Sequence, residues 1–318
     1  MIRCLFCYRP LVAAAAAAEY HPACSRQLFG RAVPPVFPYS EAQLLALAED
    51  SVRQHITVPG VQPKLSLGLV PATAGAPARL TIVGALGGDY ILKPPTARYP
   101  SLPEVEDLTM HLATLARLPT VPHGLLRLQN GALAYVTRRI DRVAGGKRHM
   151  EDLCQLTERL TENKYDGSHE QIAKALLRYS ANPGLDVVNY YELVLFCLLT
   201  GNADMHLKNF SLLHTPGLGY NLAPAYDLVA TALVNPADPE ELALTLNGKK
   251  RRLRPDDFWQ AARQAGVGET VLTTMFARFA RVRPAWHQLV AQSFLPAELQ
   301  ATFHALLDQR FEQMGIAR

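Results

Sequence analysis

The chain has 318 residues, with 32 Lys and Arg against 28 Asp and Glu and a net charge of +4. This length suits two domains or a two-lobed enzyme, since domains usually have ~100–200 residues. A hydrophobic content of 49% and a charged content of 19% exclude wholesale disorder, and the small net charge excludes a polybasic binder. No apolar run reaches the ~18 residues of a membrane helix, and MIRCLFCYRP lacks a secretory signal pattern, so we expect a cytoplasmic protein.

The predicted elements fall into three regions. Residues 1–39 hold three of the five cysteines and close with the proline-rich VPPVFP, which predicts an appended N-terminal Cys/His module. Residues 40–142 contain short β-prone segments and a helical pattern beginning near Val105, which predicts a small sheet with one helix across it. Residues 143–318 are mainly helical in pattern, and the apolar ELVLFCLLTG predicts a buried helix that ends at Gly201.

The most informative stretch is GNADMHLKNFSLLH, residues 201–214, followed by YNLAPAYDLVA, residues 220–230. Asp204 stands five residues before Asn209, and Asp227 follows after a hairpin-length interval. Phosphoryl transfer needs such a set, because one carboxylate accepts the proton of the attacking hydroxyl while an Asn and a second Asp hold magnesium. The alternatives are turn residues for the first pair and a helix N-cap for Asp227.

Other polar residues fit the same chemistry. His206 could orient the loop or the nucleotide, and Lys208 could lie near the transferred phosphoryl group; a structural histidine and a solvated lysine are the alternatives. Lys93 ends a short apolar strand, where a cation can hold the nucleotide phosphates. Its carboxylate partner should begin the following helix, and we favour Glu106 over Glu104, although both also suit a helix N-terminus.

Two loops could contact phosphate groups. TVPGVQPK, residues 57–64, would supply backbone N–H groups and Lys64 over the nucleotide phosphates, but it is not a Walker A sequence and also suits a simple strand turn. GKKRRLR, residues 248–254, concentrates five cations. That run suits either a solvated turn or a contact with the phosphates of a nucleic acid.

The N-terminal cysteines have the spacing of a metal site. Cys4 and Cys7 form one close pair, and His21 and Cys24 form a second pair after thirteen intervening residues. Two such pairs are typical of a tetrahedral structural zinc site. Free or core cysteines are the alternative, and a zinc knuckle on nucleic acid is disfavoured by sparse neighbouring arginines and aromatics.

Nine motifs, in a common order across about residues 55–260, resemble the HipA family of toxin kinases, bacterial Ser/Thr kinases distantly similar to phosphatidylinositol kinases. The motifs are TVPGVQPKLS, ILKP, EVEDLTMHLA, YVTRRIDR, HMEDLCQL, KYDGSHEQI, GNADMHLKNFSL, LAPAYDLV and LNGKK. The resemblance implies an α+β, two-lobed protein-kinase-like fold with an ATP cleft. Residues 40–142 would form the small β-rich N-lobe, and residues 143–318 the helical C-lobe.

The resemblance also implies a role for each matching residue. Asp204 would be the catalytic base, and Asn209 and Asp227 would hold Mg²⁺; Lys208, which could lie near the transferred phosphoryl group, is the second catalytic candidate. Residues 138–140 would form the adenine hinge, although the family usually has an acidic residue and a Phe there. The expected ATP-binding residues are Pro59, Gly60, Val61, Gln62, Pro63, Lys64, Lys93, Glu106, Arg138, Ile140, His206 and Tyr226.

The position of the phosphate loop so early in the chain resembles the short HipT type. The resemblance then implies HipS-like and HipB-like antitoxin partners, contact with DNA only through the antitoxin complex, and an aminoacyl-tRNA synthetase as the protein target. Family members autophosphorylate the phosphate loop, and the matching residue is Thr57. The alternatives are a kinase of small molecules or lipid headgroups and a catalytically silent module that binds nucleic acid.

Overall fold

The computed structural model describes residues 2–12, 19–44, 46–47, 63–74, 76–84, 87–143 and 146–316. Thr57 and the predicted phosphate-loop residues up to Gln62 lie outside this part of the chain. The chain divides into two compact units, each formed by segments that are distant in sequence. The first unit comprises Met1–Asp107, Val121–Ile140 and Gln292–Phe294, and the second comprises Leu108–Thr120, Asp141–Ala291 and Leu295–Arg318.

The first unit is built on a five-stranded antiparallel sheet with the order β2-β1-β3-β5-β4. Hydrophobic and β-branched residues dominate these segments, which suits a pleated, largely buried surface. The glycine before β3 is required, since Gly88 has φ +80° and a Cβ there would lie 2.6 Å from the carbonyl oxygen of Leu67. The strands are β1 (Leu65–Val70), β2 (Arg79–Val83), β3 (Tyr90–Lys93), β4 (His123–Arg127) and β5 (Leu133–Arg138).

The N-terminal segment packs against this sheet. Helix α1 (Pro22–Phe29) begins after His21 as its N-cap and ends at Gly30, which adopts the left-handed conformation. The backbone N–H of Leu125 in β4 donates to the carbonyl oxygen of Leu5 at 3.0 Å. Residues of the segment and the sheet share one hydrophobic core, in which Leu28 is fully buried. The Cys/His segment is therefore part of the packing of the first unit.

Helix α2 (Leu102–Leu115) confirms the helix predicted near Val105, with shifted ends. It begins three residues before Val105. It also ends three residues before Leu118, because Arg117 adopts a positive φ of 61° that cannot continue a right-handed helix. The first turns of α2 carry the two carboxylates considered as partners of Lys93.

The second unit is mainly helical. Helix α5 (Pro183–Thr200) is buried without interruption over residues 193–200, which confirms the buried helix predicted from ELVLFCLLTG. Gly201 ends α5 with φ +67°, and its N–H donates to the carbonyls of Cys197 and Leu198. The other helices are α3 (Leu153–Leu156), α4 (His169–Tyr179), α6 (Thr231–Val234), α7 (Pro255–Gln264), α8 (Glu269–Ala291) and α9 (Ala297–Gln313).

Small sheets frame the loops that follow α5. A three-stranded antiparallel sheet has the order β10-β9-β8, and β6 pairs with β7. These strands are β6 (Arg142–Val143), β7 (Gly146–Lys147), β8 (Met150–Asp152), β9 (Ser211–Thr215) and β10 (Gly219–Leu222), and 3₁₀ turns form at Thr161–Asn163 and Leu207–Asn209. Among the described residues, no helix has both the length and the apolarity needed to cross a bilayer.

Candidate active site

Lys93 lies at the end of β3 with its side chain almost fully buried. Its ammonium group contacts Oε1 of Glu106 at 2.5 Å, and its Nζ lies 5.5 Å from the centroid of the Tyr135 ring. The antiparallel register places Lys93 directly beside Tyr135 in β5. A buried charge needs such a partner, since an isolated ammonium group would be costly to desolvate. Glu106, favoured from the sequence, is thus the carboxylate that pairs with Lys93.

Glu104, the other candidate, lies in the first turn of α2 and is half-buried. Its Oε2 atom is shielded from solvent and has no hydrogen-bond partner among the described residues. Burial raises the pKa of Glu104 to about 7, and the charge of Asp107 acts in the same direction. The two glutamates therefore differ in their surroundings, since Glu106 contacts the Lys93 ammonium group and Glu104 is shielded in the first turn of the helix.

The loop after α5 brings Asp204 and Asn209 together. The side-chain Nδ2 of Asn209 donates to the backbone carbonyl of Asp204 at 3.0 Å, and the N–H of His206 donates to the same oxygen at 2.8 Å. Asn209 is buried, whereas Asp204 is exposed. The loop therefore directs the Asp204 carboxylate outward and fixes the amide of Asn209 through its nitrogen.

Tyr165 also belongs to this loop's surroundings, although its role was not predicted from the sequence. Its hydroxyl donates to Oδ1 of Asp204 at 2.6 Å, and its ring meets the His206 ring edge-on with centroids 5.0 Å apart. Burial raises the pKa of Tyr165, and the hydrogen bond with Asp204 raises it further, so the phenol stays protonated. The KYDG motif contained this residue, but its spacing to Asp204 carries no signal of contact.

Asp227 lies in the same neighbourhood of the second unit. The charges of Asp204 and Asp227 both raise the pKa of Tyr165 and oppose the lowering of the His206 pKa, which burial causes. Asp227 has φ +60°, a left-handed conformation that costs a residue with a Cβ roughly 1–3 kcal/mol. Strain of this kind clusters at functional sites, which agrees with the metal-binding role predicted for Asp227.

The donor atoms suit a hard divalent cation. Asn209 uses its side-chain nitrogen for the Asp204 carbonyl, so its Oδ1 atom faces the opposite side of the amide. Carboxylate and amide oxygens are the ligands that Mg²⁺ prefers. The chemistry of Asn209 and Asp227 therefore fits the metal that the sequence predicts.

Lys208 and Tyr226 make structural contacts beside the loop. The Lys208 ammonium group bonds to Oδ2 of Asp152 at 2.6 Å, and Asp152 also caps α3 by accepting from the N–H of Gln155. The Tyr226 hydroxyl donates to the Lys208 carbonyl at 3.1 Å and lies 2.5 Å from the Ser211 hydroxyl. Burial raises the Tyr226 pKa. Both residues border the loop, and their roles with substrate and nucleotide stay predictions.

The remaining predicted nucleotide residues lie in the first unit. Arg138 ends β5 and is exposed, and Ile140 is half-buried where the chain leaves this unit. Pro63 and Lys64 are half-buried and directly precede β1. Pro59, Gly60, Val61, Gln62 and Thr57 fall outside the described residues.

The basic run beside α7 is partly neutralised. Lys249 pairs with Oδ1 of Asp257 at 2.7 Å, and Lys250 pairs with Oε2 of Glu240 at 3.6 Å. Asp257 has a lowered pKa because hydrogen bonds from Lys249 and Asn247 outweigh the effect of its burial. These pairs favour the interpretation of the run as a solvated turn.

The four predicted zinc ligands converge in the first unit. The sulfur atoms of Cys4, Cys7 and Cys24 and a ring nitrogen of His21 all lie within 4.8 Å of one another. The hydrogen bond with Cys4 is the main cause that lowers the Cys7 pKa to about 4, whereas burial raises the Cys24 pKa to about 11. The four side chains are therefore as close to one another as the ligands of a single metal ion must be.

The fold matches solved structures of kinase type. The described structure superposes on a chain of the Shewanella oneidensis MR-1 toxin–antitoxin complex of HipA, HipB and operator DNA with a TM-score of 0.67 and 23% identity, covering 84% of this chain and 70% of that one. The Helicobacter pylori proinflammatory kinase CtkA matches with a TM-score of 0.53 and 14% identity, covering 71% and 87%. These matches confirm the predicted two-lobed, kinase-like α+β fold.

The sequence comparisons give the family. The family model described as the HipA-like C-terminal domain matches residues 56–286, so the chain belongs to the HipA-like C-terminal domain family. "Putative kinase Y4mE" of Sinorhizobium fredii is 34% identical over 225 residues, which are 67% of this chain and 52% of that protein. The serine/threonine-protein kinase toxin HipA of Shewanella oneidensis is 28% identical over 273 residues, 76% of this chain and 58% of that protein.

The resemblance noted in the sequence is thereby confirmed at the level of the family. The chain spans about half the length of the first relatives it matches, 52% in each of two Sinorhizobium fredii proteins. Two of these relatives are named as kinases, one of them as a serine/threonine-protein kinase toxin. The reaction and the partners of this chain are therefore inferred below from its own residues.

Proposed function

We propose that this chain is an ATP-dependent kinase that phosphorylates a Ser or Thr hydroxyl of a protein, as a toxin of the short HipT type. The observation that carries the proposal is the exposed Asp204 carboxylate, which accepts a hydrogen bond from the Tyr165 hydroxyl. The backbone carbonyl of the same residue accepts a hydrogen bond from the buried Asn209 amide. Membership of the HipA-like family and the buried Lys93–Glu106 pair support it.

In the proposed reaction, each group has one task. Asp204 accepts the proton of the attacking hydroxyl, since it is the exposed carboxylate of the loop. Asn209 and Asp227 would hold Mg²⁺, which offsets negative charge on the nucleotide phosphates when bound. Lys93, kept in place by Glu106, binds the α- and β-phosphates of ATP.

Other predicted residues have positioning tasks in this proposal. His206 and Tyr226 border the nucleotide, residues 138–140 contact adenine, and the loop from Pro59 to Lys64 covers the phosphates. Lys208 lies close to the transferred group and is oriented by Asp152. Buried and hydrogen-bonded supports of this kind lower the cost of holding reacting groups in place.

The proposed biological setting is a toxin–antitoxin system. Relatives include the Shewanella toxin HipA, and one matched structure is a complex of HipA, HipB and operator DNA. From this likeness we infer a HipB-like antitoxin partner and contact with DNA only through the antitoxin complex. The resemblance of the sequence motifs to the HipT type is the support for a HipS-like partner and for an aminoacyl-tRNA synthetase as the target, whose phosphorylation would arrest translation.

A label-transfer experiment tests the activity. Purified wild type, Asp204→Asn and the control Asp256→Asn would be incubated with radiolabelled ATP, Mg²⁺ and bacterial lysate. Asp256 is an exposed aspartate in the first turn of α7, so its replacement matches the chemical change away from the loop. We expect wild type and Asp256→Asn to label one polypeptide, and Asp204→Asn to lose the label by ~10³-fold or more.

The outcomes separate the candidate functions. Mass spectrometry that identifies the labelled polypeptide as an aminoacyl-tRNA synthetase would establish the proposed target. Label only in small molecules or lipid would contradict a protein target and favour the other kinase class. Failure to bind ATP with Mg²⁺, together with salt-sensitive binding of nucleic acid, would instead identify a catalytically silent module.

Autophosphorylation of Thr57 is a separate part of the proposal. A phosphate there would add negative charge in the loop that receives the ATP phosphates and so would inhibit the kinase. Intact mass and peptide mapping after incubation with ATP should show one phosphate on Thr57 in wild type and none in Asp204→Asn. An unmodified Thr57 in an active preparation would contradict this mode of regulation.

A further inference from the structure

Four side chains from two short segments of the first unit form a compact S₃N group. The Cys7 sulfur lies 3.4 Å from Nδ1 of His21, and the Cys24 sulfur lies 3.9 Å from the same nitrogen. A tetrahedral zinc ion with bonds of about 2.0–2.3 Å separates its ligand atoms by roughly 3.3–3.8 Å. The side chains therefore already stand at nearly the spacing that one zinc ion requires.

The histidine is also oriented as a metal ligand. Its Nε2 atom lies 3.1 Å from the backbone carbonyl oxygen of Pro10 and can donate a proton to it. That hydrogen bond selects the tautomer in which Nδ1, the nitrogen facing the sulfurs, carries no proton. Ligating histidines in metalloproteins are usually held by such a bond from the second ring nitrogen.

The cysteines are shielded but not joined to one another. Cys4 and Cys24 are buried, Cys7 is half-buried, and all three are free thiols. The backbone closes a tight turn around the first pair, since the N–H of Cys4 donates to the Arg9 carbonyl and the N–H of Tyr8 donates to the Cys4 carbonyl, both at 3.0 Å. Packing three thiols beside a histidine without a disulfide is best explained by a shared ion.

We propose that Cys4, Cys7, His21 and Cys24 bind one structural zinc ion. Three thiolates and one imidazole are a ligand set that zinc favours over harder metals. Four protein ligands leave no open position for water or substrate, so the ion is structural rather than catalytic. The group binds zinc independently of whether the chain phosphorylates any target.

The proposed zinc ion holds together a segment that itself contacts the helix carrying Glu106, the partner of Lys93. Directly after Cys7, the Tyr8 hydroxyl donates to Oδ2 of Asp107 at 2.7 Å. Nδ1 of His123 in β4 lies 2.7 Å from the other carboxylate oxygen of Asp107. Burial lowers the His123 pKa to about 3, so its ring is neutral and donates from Nδ1. Asp107 directly follows Glu106 on α2. By fixing the turn that carries Tyr8, the zinc ion would stabilise the helical turn that carries Glu106.

A second line of contacts joins the segment to β4. The Tyr20 hydroxyl bonds to the Leu125 carbonyl, and Glu19 pairs with Arg127. Arg3 bonds to the Gln292 carbonyl and lies over the Phe294 ring, 5.0 Å from its centroid. These contacts direct the segment toward its own unit, which favours a bracing role over a nucleic-acid knuckle.

Metal analysis of the intact chain tests the proposal. Wild type, Cys7→Ser and Cys154→Ser would be purified without chelators. The zinc content per chain would be measured by elemental mass spectrometry of the acid-digested protein. Cys154 is the matched control, a buried cysteine whose thiol bonds to the carbonyls of Arg159 and Leu160, outside the proposed set. We expect about one zinc per chain in wild type and Cys154→Ser, and a several-fold loss in Cys7→Ser.

Cobalt substitution gives a readout that does not depend on the variants folding. Wild type refilled with Co²⁺ should show the thiolate-to-cobalt charge-transfer band and the intense visible bands of tetrahedral coordination, and zinc should displace them. Thermal unfolding of wild type should shift to lower temperature when zinc is removed, and return when it is restored. Wild type with well under one zinc and no tetrahedral cobalt spectrum would overturn the proposal, as would full zinc content in Cys7→Ser.

Discussion

The hydroxyl of Tyr165 donates a 2.6 Å hydrogen bond to Oδ1 of Asp204. Tyr165 precedes α4, whereas Asp204 follows α5, so two separate segments of the second unit meet at this bond. The bond restricts the exposed carboxylate to a few orientations. It therefore makes Tyr165 a positioning residue for the proposed catalytic base.

Replacing Tyr165 by Phe should lower kcat by about threefold to tenfold, because a hydrogen bond of this kind contributes roughly 1 kcal/mol. The KM for ATP should stay unchanged, since the nucleotide does not need the phenol. Steady-state kinetics of Tyr165→Phe would measure both. Tyr179→Phe, at an exposed tyrosine of the same unit, is the control and should retain both values. Equal changes in kcat and KM would argue against a positioning role.

The buried pair of Lys93 and Glu106 should show strong energetic coupling. Lys93→Met and Glu106→Gln should each reduce the free energy of unfolding by roughly 3–5 kcal/mol, since each removes the partner of a buried group. The double variant should be more stable than the sum of the single effects predicts. Urea unfolding followed by circular dichroism completes the double-mutant cycle. Strict additivity would show that the two side chains do not interact.

Glu104 should make the stability of the chain depend on pH. Burial raises its pKa from 4.5 to about 7, so between these values the folded state binds more protons than the unfolded state. The free energy of unfolding of wild type should therefore fall as pH rises through this window. Glu104→Gln should remove that fall and be more stable than wild type by roughly 1–3 kcal/mol at pH 8, with little difference near pH 4.5.

Chemical unfolding of both proteins at several pH values checks this prediction. Glu298→Gln serves as the control, because Glu298 is an exposed glutamate in the first turn of α9. Its replacement should leave the pH dependence of wild type intact. A constant difference between Glu104→Gln and wild type across the window would mean that Glu104 does not titrate as its burial implies.

Gly201 should tolerate no side chain. It has φ +67°, and a Cβ there would lie 2.9 Å from both the Ala232 Cβ and a Leu306 methyl carbon. Gly201→Ala should therefore reduce the free energy of unfolding by about 2–4 kcal/mol, through both backbone strain and crowding. Gly266→Ala isolates the backbone effect, since Gly266 has φ +86° with no atom within 4 Å of its Cβ position, and should cost only about 1 kcal/mol.

Denaturant midpoints of the two glycine variants give this comparison directly. Activity of Gly201→Ala should fall with its stability, because the loop that carries Asp204 begins at this helix end. Similar losses of stability in both variants would show that the neighbours of Gly201 move aside.

Several features followed from the sequence because they depend on local spacing. Only two residues separate Cys4 from Cys7, and two separate His21 from Cys24. Each pair can therefore converge on one ion with little loss of backbone entropy. The apolar run before Gly201 predicted a buried helix because a helix without a polar face must be surrounded by protein. The order of Asp204 and Asn209 indicated phosphoryl transfer because both lie on one short loop.

Other relationships depend on how distant segments pack. The sequence favoured Glu106 over Glu104 as the partner of Lys93, but only the packing of α2 beside the end of β3 brings the Glu106 carboxylate to the Lys93 ammonium group. The contacts of Tyr165 with Asp204 and of Lys208 with Asp152 join residues 39 and 56 positions apart. Neither propensity nor periodicity encodes such pairs, because side-chain contacts between segments are set by the burial of their apolar faces in a common core.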